Sequence, residues 1–175
     1  SLVSLDNSYA DAIYVFAFEE LTTLGGDGPS VTFELGGDDL NRLKLNTELC
    51  TFEGNCWIRF TSGFISDING NDIVPIFMNT LDYFHQPELF TPDTTSPVLE
   101  SYNIDLDSGF MTFTFDEVVR EDTFNPMNLT FQDNTTATAE VSLRERGMFN
   151  RTQNGLEINW IMTKGDLNLI KAYET

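Results

Sequence analysis

The sequence is poor in the residues that nucleophilic and metal sites use most. It has one histidine and two cysteines among 175 residues. A serine or cysteine nucleophile needs a histidine close by, and His85 lies in the linker-like stretch 83–87 beside no obvious nucleophile. A structural zinc site takes about four ligands, mostly cysteine and histidine. We therefore expect that the protein is not an enzyme and holds no zinc.

Long apolar runs are also missing. No stretch approaches the ~18 consecutive apolar residues of a membrane span, so we expect no direct membrane span. No basic start followed by an apolar run has the pattern of a signal peptide. If the protein is exported, its signal therefore lies outside this chain.

Basic side chains are scarce beside acidic ones. The chain has 9 Lys and Arg against 28 Asp and Glu, a net charge of −19. Such a surface repels nucleic acid and anionic membranes at long range, so we expect no nucleic-acid partner. The acidity tolerates cations, Ca²⁺ in particular. Alternatively, it keeps a β-rich protein soluble and blunts its strand edges against aggregation.

The two cysteines stand close together. Cys50 and Cys56 flank residues 51–55, whose composition is typical of a turn. A hairpin there could bring both sulfurs within bonding range, and a disulfide suits an oxidising compartment. The alternative is a pair of reduced, half-buried thiols. We predict the disulfide.

Repetition is the strongest pattern in the chain. Residues 16–20 (Phe-Ala-Phe-Glu-Glu) return as residues 113–117 (Phe-Thr-Phe-Asp-Glu), at an offset of 113 − 16 = 97. Residues 39–44 (Asp-Leu-Asn-Arg-Leu-Lys) return as residues 166–171 (Asp-Leu-Asn-Leu-Ile-Lys), at an offset of 166 − 39 = 127. Two echoes in the same order indicate a duplicated module with 127 − 97 = 30 extra residues in the second copy.

Many short alternating segments with almost no helical periodicity predict an all-β sandwich. The duplication and the proline-bracketed junction divide the chain into residues 1–92, a linker at 93–97, and residues 98–175. Nothing in the second copy matches the strands predicted at 57–60 and 73–77. We therefore expect the second module to lack its final strands. The aromatic residues expected in the cores are Phe16, Phe18, Phe33, Trp57, Phe113, Phe115 and Trp160.

The repeated Asp-Leu-Asn motif predicts a short capped turn in each copy. Asp39 fits an N-cap for one helical turn over residues 40–44. The leucines would then plug the end of the sandwich. A functional role for the motif is the alternative.

Two acidic turns are candidates for Ca²⁺. Residues 67–72 begin like an EF-hand loop, although the glycine comes early and no glutamate closes the loop. Residues 105–107 offer carboxylates near a second turn. Solvated turn carboxylates with an Asx-turn are the alternative. The candidate ligands are Asp67, Asn69, Asn71, Asp72, Asp105 and Asp107. No cofactor is otherwise required.

Three N-glycosylation sequons begin at Asn128, Asn134 and Asn150. A chain rich in Asn, Ser and Thr yields about two or three by chance under the simple pattern rule. However, Asn134 and Asn150 fall in predicted loops, and all three lie within or near the added segment. If the protein is eukaryotic and secreted, we expect at least one site to carry an N-linked glycan.

The turns and the junction resemble those of a known class of repeat. The junction Asp-Thr-Thr-Ser-Pro is followed by Leu-x-Ser-Tyr, then by Asp-Leu-Asp-Ser-Gly before Phe-x-Phe-Asp-Glu. This order resembles the tandem immunoglobulin-like repeats of very long algal and protist surface proteins. These include shaft proteins of flagellar hairs (mastigonemes) and adhesion proteins, and similar modules occur in bacterial surface-layer proteins. The first copy departs from the pattern because it lacks the strands around Leu129 and Val141.

The resemblance implies two tandem immunoglobulin-like β-sandwich modules and an extracellular, glycosylated, non-enzymatic structural role. We expect a segment of a cell-surface filament whose partners are copies of itself or neighbouring modules. An incomplete second sandwich could accept a strand from a neighbour, and we expect the open edge near residues 156–161. The alternative is a Ca²⁺-dependent adhesin or a module that binds carbohydrate or protein.

Overall fold

The computed structural model describes residues 2–5, 12–76, 85–150 and 154–173. The chain divides into two compact units, Ser1–Thr94 and Thr95–Thr175. The division falls within the stretch 93–97 that the sequence marks as a junction. In the described part both units are built mainly of short strands, and each contains one α-helix of eight residues. The all-β prediction therefore holds as a β-rich fold.

Unit 1 contains two small antiparallel sheets. One has the strand order β2-β1-β5, and the other is the hairpin β3-β4, which leads directly into helix α1. The alternation of Thr32-Phe33-Glu34-Leu35 suits a strand with one polar side. The elements are β1 (Leu2–Leu5), β2 (Ala12–Phe16), β3 (Leu21–Leu24), β4 (Thr32–Leu35), α1 (Gly37–Lys44) and β5 (Trp57–Ile58), with 3₁₀ turns at Glu53–Asn55 and Ser62–Phe64.

The residues after α1 supply buried apolar side chains to unit 1. Among the side chains that the structure describes there, Leu49, Cys56 and Ile76 are the buried hydrophobic ones. The predicted strand at 73–77 is reduced, in its described part, to an isolated bridge between Ile76 and Phe60. His85 is bridged to Ile58 through the backbone rather than lying in a free linker. The segment after α1 therefore contributes both strand pairing and core to unit 1.

Unit 2 contains a four-stranded antiparallel sheet and a separate hairpin. The sheet has the order β10-β11-β7-β6, and the added segment forms the hairpin β8-β9. The elements are β6 (Leu99–Asp105), β7 (Phe110–Val119), β8 (Thr130–Gln132), β9 (Glu140–Ser142), β10 (Met148–Phe149), β11 (Gly155–Ile161) and α2 (Lys164–Lys171), with 3₁₀ turns at Glu121–Thr123 and Pro126–Asn128.

The core of unit 2 lies on one side of this sheet. Alternate residues of β7 and β11 point inward, and their apolar side chains pack with residues from the added segment and α2. The ring of Phe124 packs edge-on against Trp160, and the Trp160 indole N–H donates to the carbonyl of Arg146 at 2.8 Å. The buried members are Met111, Phe113, Leu143, Ile158, Trp160, Met162 and Leu167.

Only some of the aromatic residues predicted to lie in the cores are buried. Phe113 and Trp160 are buried, and Phe18, Trp57 and Phe115 are half-buried. Phe33 is 36% exposed, contrary to the prediction, although its ring packs against that of Phe64 with centroids 5.5 Å apart. The side chain of Phe16 lies outside the described part of the chain.

The first sequence echo differs from the strand register. Leu2 pairs with Phe16, so a shift of 97 would pair Leu99 with Phe113. Leu99 instead pairs with Phe115, and a bulge follows between Leu99 and Ser101. The extra residue in the bulge and the different turn lengths move the register by two positions.

The second echo corresponds to a helix in each unit, but Asp39 is not its N-cap. The cap residue is Gly36, and Asp39 is the third residue of α1. In unit 2 the cap is Thr163, whose hydroxyl accepts from the backbone N–H of Asp166, the third residue of α2. Both aspartates are buried. Their carboxylates accept hydrogen bonds from backbone N–H groups outside the helix, as described below.

Candidate functional site

The unit 2 sheet has two edge strands, the two-residue β10 and the seven-residue β6. β6 pairs with β7 along its inner side, and no strand in the described part of the chain pairs with its outer side. An edge of this kind presents a row of backbone N–H and C=O groups to any strand that can approach it.

The backbone groups that face outward can be identified from the β6-β7 ladder. Asp116 N–H donates to the carbonyl of Val98 at 3.1 Å, so Val98 faces β7 and Leu99 faces outward. The same alternation along β7 turns Thr114 and Thr112 toward β6. Because those two residues pair with Ser101 and Asn103, the backbone groups of Tyr102 and Ile104 point to the open edge.

The side chains of this edge lie on the core side of the sheet yet stay exposed. Tyr102 is opposite Phe113, and Ile104 is opposite Met111. Both partners on β7 are buried, but Tyr102 is 54% and Ile104 37% exposed. Leu99, opposite Phe115, is 45% exposed. The core side of the sheet is therefore covered over β7 and uncovered over β6.

Unit 1 shows what covers the corresponding edge there. β1, like β6, forms a hairpin with the next strand, and its other side pairs with β5 at Leu2–Ile58 and Val3–Trp57. The 3₁₀ turn Glu53–Asn55 also contacts β1. Both covering elements come from the segment after the helix. In the described part of unit 2, only Ala172 and Tyr173 follow α2.

We expected an open edge near residues 156–161, in β11. In the described part of the chain, β10 pairs with only the last two residues of β11, so the expectation is wrong at Trp160 and Ile161, whereas no strand pairs with that side of residues 156–158. Met148 and Phe149, at the end of the added segment, pair with Ile161 and Trp160. Sequence patterns missed the β6 edge because the alternation of a strand does not show which strand lies beside it. Only the pairing order shows which strand lacks a neighbour.

The repeated Asp-Leu-Asn motif ties each helix to the segment before its hairpin. In unit 1, Asp39 Oδ2 accepts from the N–H groups of Glu19 and Glu20, at 2.8 and 2.7 Å. Its Oδ1 accepts from Arg42 at 3.1 Å. Buried backbone donors need acceptors, so this aspartate serves the fold.

Unit 2 repeats the same arrangement. The two oxygens of Asp166 accept from the N–H groups of Arg144 and Glu145, at 3.1 and 3.0 Å. In unit 1 the paired donors immediately precede β3, and in unit 2 two residues separate them from β10, the first strand of the hairpin that leads into the helix. The echo in sequence thus encodes the same local hydrogen-bond pattern twice.

The first acidic turn uses its leading carboxylate internally. Asp67 Oδ1 accepts from the N–H groups of Asn69 and Asn71, and its Oδ2 accepts from the Asn71 amide at 2.9 Å. The Asn71 side-chain bond is the main cause that lowers the pKa of Asp67. Asp72 accepts from the Ser66 hydroxyl at 2.7 Å. This pattern is an Asx-turn.

The second acidic turn is similar. Asp105 accepts from the Ser108 hydroxyl at 2.5 Å, which lowers the pKa of Asp105, and from the N–H of Asp107 at 2.9 Å. Within the described ranges, no group of three or more His, Cys, Asp or Glu side chains could hold a metal ion together. Ca²⁺ binding at either turn stays a prediction.

The disulfide lies partly inside the fold, with Cys50 half-buried and Cys56 buried, whereas the sequons lie at the surface. Cys50 and Cys56 are joined in a disulfide, and Asn55 closes the loop between them by accepting from the N–H groups of Thr51 and Phe52. The three sequon asparagines, Asn128, Asn134 and Asn150, are exposed and therefore accessible to glycosylation. Their glycosylation stays a prediction.

Comparisons with known proteins add no relative. No family model, no curated protein and no solved structure matches this chain. Among the described residues, no helix is long and apolar enough to cross a membrane.

Proposed function

We propose that this chain is a non-enzymatic structural segment of an extracellular glycoprotein fibre or cell-surface filament. In this proposal the two units are tandem immunoglobulin-like β-sandwich modules, and the second is completed by a neighbouring module. Its partners are copies of itself or similar modules. The disulfide is typical of an oxidising compartment, and the shared helix arrangement of Asp39 and Asp166 supports duplication.

One observation carries the proposal, namely the open edge of β6 with its uncovered core-side residues. Contiguous apolar surface of this kind is unfavourable in water, at about 25 cal/mol per Å² left exposed, and natural proteins avoid unprotected strand edges. Leu99, Tyr102 and Ile104 combine both features in one strand. A strand from another module would satisfy the backbone groups and bury these side chains. A contact between unlike surfaces repeats from one copy to the next, and it yields a filament where the rotation between copies does not close a ring.

Sedimentation velocity of the full chain over a hundredfold concentration range tests this proposal. We expect assemblies that grow with concentration, and elongated particles by negative-stain electron microscopy. Replacing Tyr102 by lysine places a charge on the edge and should reduce assembly, whereas lysine at Thr112, on the other side of the sheet in β7, should not. A chain that stays monomeric throughout would refute self-assembly.

Thermal unfolding and sedimentation velocity, each with and without a chelator, address the alternative, a Ca²⁺-dependent adhesin. A ligand that binds only the folded state raises the stability of the protein. If Ca²⁺ is bound, chelation should therefore lower the melting temperature by several degrees. For the fibre segment we expect the melting temperature and the assembly to stay unchanged. A large shift would favour the adhesin.

A further inference from the structure

We propose that the outer edge of β6 receives one particular kind of segment: a disulfide-closed turn followed by an aromatic strand, as in this chain's own residues 49–60. A neighbouring module of the same type would present it antiparallel to β6, with its tryptophan opposite Leu99. This inference deepens the proposed function and rests on it, because it names the partner's chemistry and register at the edge.

The occupant is inferred from what the same chain does in unit 1. There β5 pairs antiparallel with the edge of β1, and the turn Glu53–Asn55 also contacts β1. The disulfide Cys50–Cys56 closes the loop that holds this turn. Because this segment pairs with the edge of β1, we infer that a segment of the same type pairs with the open edge of β6.

The register follows from which backbone groups face the edge. Ile58 N–H donates to the carbonyl of His85 at 3.1 Å, so Ile58 faces away from β1. The pair Val3–Trp57 must therefore carry the hydrogen bonds between β1 and β5. Val3 is the β1 residue that faces its partner, and Leu99 is the first β6 residue that faces outward. Backbone direction therefore puts the tryptophan opposite an outward-facing β6 residue. We take the first of these, Leu99, which sets the following isoleucine opposite Val98.

The side chains agree with this register. Residues directly opposite in an antiparallel pair lie on the same face, so the tryptophan would cover Leu99 on the core side of the sheet. The residues before it run toward Tyr102, which the turn would cover. Both β6 side chains are about half exposed now, at 45% and 54%, and both would become buried.

A synthetic peptide of residues 47–61, oxidised to the Cys50–Cys56 disulfide, is the probe. In it, a photoreactive benzoylphenylalanine replaces Trp57. After irradiation with the full-length chain, we expect peptide adducts at residues 98–100, mapped by mass spectrometry. A control peptide with Trp57→Asp and Ile58→Pro should give none. Adducts that map outside β6, or no saturable binding, would overturn the inference.

Two variants of the chain separate backbone pairing from side-chain contact. Leu99→Pro removes an outward N–H without touching the β6-β7 ladder, and proline is tolerated at edge strands. Leu99→Ala removes the side chain but keeps the N–H. We expect Leu99→Pro to weaken peptide binding about tenfold or more relative to Leu99→Ala. This is about the effect of losing one hydrogen bond between uncharged groups. Equal affinities would contradict strand pairing.

Unfolding curves of both variants show whether unit 2 stays folded, and Asn103→Pro, which removes an N–H that faces β7, serves as the unfolding reference. The two proposals fail separately. If the chain assembles in sedimentation but the peptide does not label β6, the register inference is wrong and the fibre proposal stands. If the peptide labels β6 while the chain stays monomeric, the edge binds as inferred and self-assembly is wrong.

Discussion

Removing the buried carboxylate of Asp166 should destabilise unit 2 far more than a surface substitution does. In Asp166→Ala, the N–H groups of Arg144 and Glu145 lose their acceptor at a site where the aspartate is 1% exposed. An unsatisfied buried donor costs about 1–3 kcal/mol, so two donors cost about 2–6 kcal/mol. For a unit of this size, 1 kcal/mol corresponds to about 4–8 °C in melting temperature. We therefore expect a decrease of at least about 8 °C.

Urea unfolding followed by tryptophan fluorescence measures this loss. The chain has one tryptophan in each unit, so a Trp57→Phe background leaves Trp160 as the reporter of unit 2. Hydrogen exchange at the amides of Arg144 and Glu145 should speed up in the variant. These amides report the broken bonds directly, independent of global stability.

Two controls separate the hydrogen bonds from charge and helix effects. Asp107→Ala removes the same charge from an exposed position of unit 2, and Asn168→Ala changes an exposed residue of α2. Surface substitutions of this kind usually alter stability by less than about 0.5 kcal/mol. If Asp166→Ala falls in that range, the carboxylate does not hold the helix to the hairpin, and our interpretation of the motif is wrong.

Three further outcomes are expected. Thr138 lowers the pKa of Asp133 to about 2 through its hydroxyl and N–H, so the stability that this carboxylate adds is complete above its usual pKa of 3.8 and lost as pH falls toward 2. NMR should therefore show the Thr138 amide protected at pH 5 and exposed near pH 2, and in Asp133→Ala, which removes the acceptor, the protection should be lost at both pH values. Gly147 has a φ of +61° and no room for a Cβ, so Gly147→Ala should cost about 2 kcal/mol or more in urea unfolding, and an unchanged midpoint would contradict the backbone geometry. Reducing Cys50–Cys56, which closes a loop of sequence separation 6, should lower the stability of unit 1 by about 2 kcal/mol and leave unit 2 unchanged, as a double Cys→Ser variant would check.

Local patterns in the sequence predicted local structure well. Short alternating segments became strands, and the Asp-Leu-Asn echo became a helix in each unit, although Asp39 and Asp166 proved to be third helical residues rather than caps. The reason for that difference is long-range. Their hydrogen-bond partners lie about twenty residues earlier in the chain, and a pattern within one turn does not reveal them.

The sequence by itself indicated a β-rich chain and a junction at residues 93–97, and the two compact units meet within that stretch. Which strands lie at the edges of a sheet was decided only by the tertiary structure. Strand order depends on hydrogen bonds between residues far apart in sequence, and a strand's own alternation is the same whether it lies inside a sheet or at its edge. The end of the added segment forms β10 beside β11, and β6 forms the opposite edge of the sheet. Tyr102 is exposed at that edge although Phe113, opposite it, is buried.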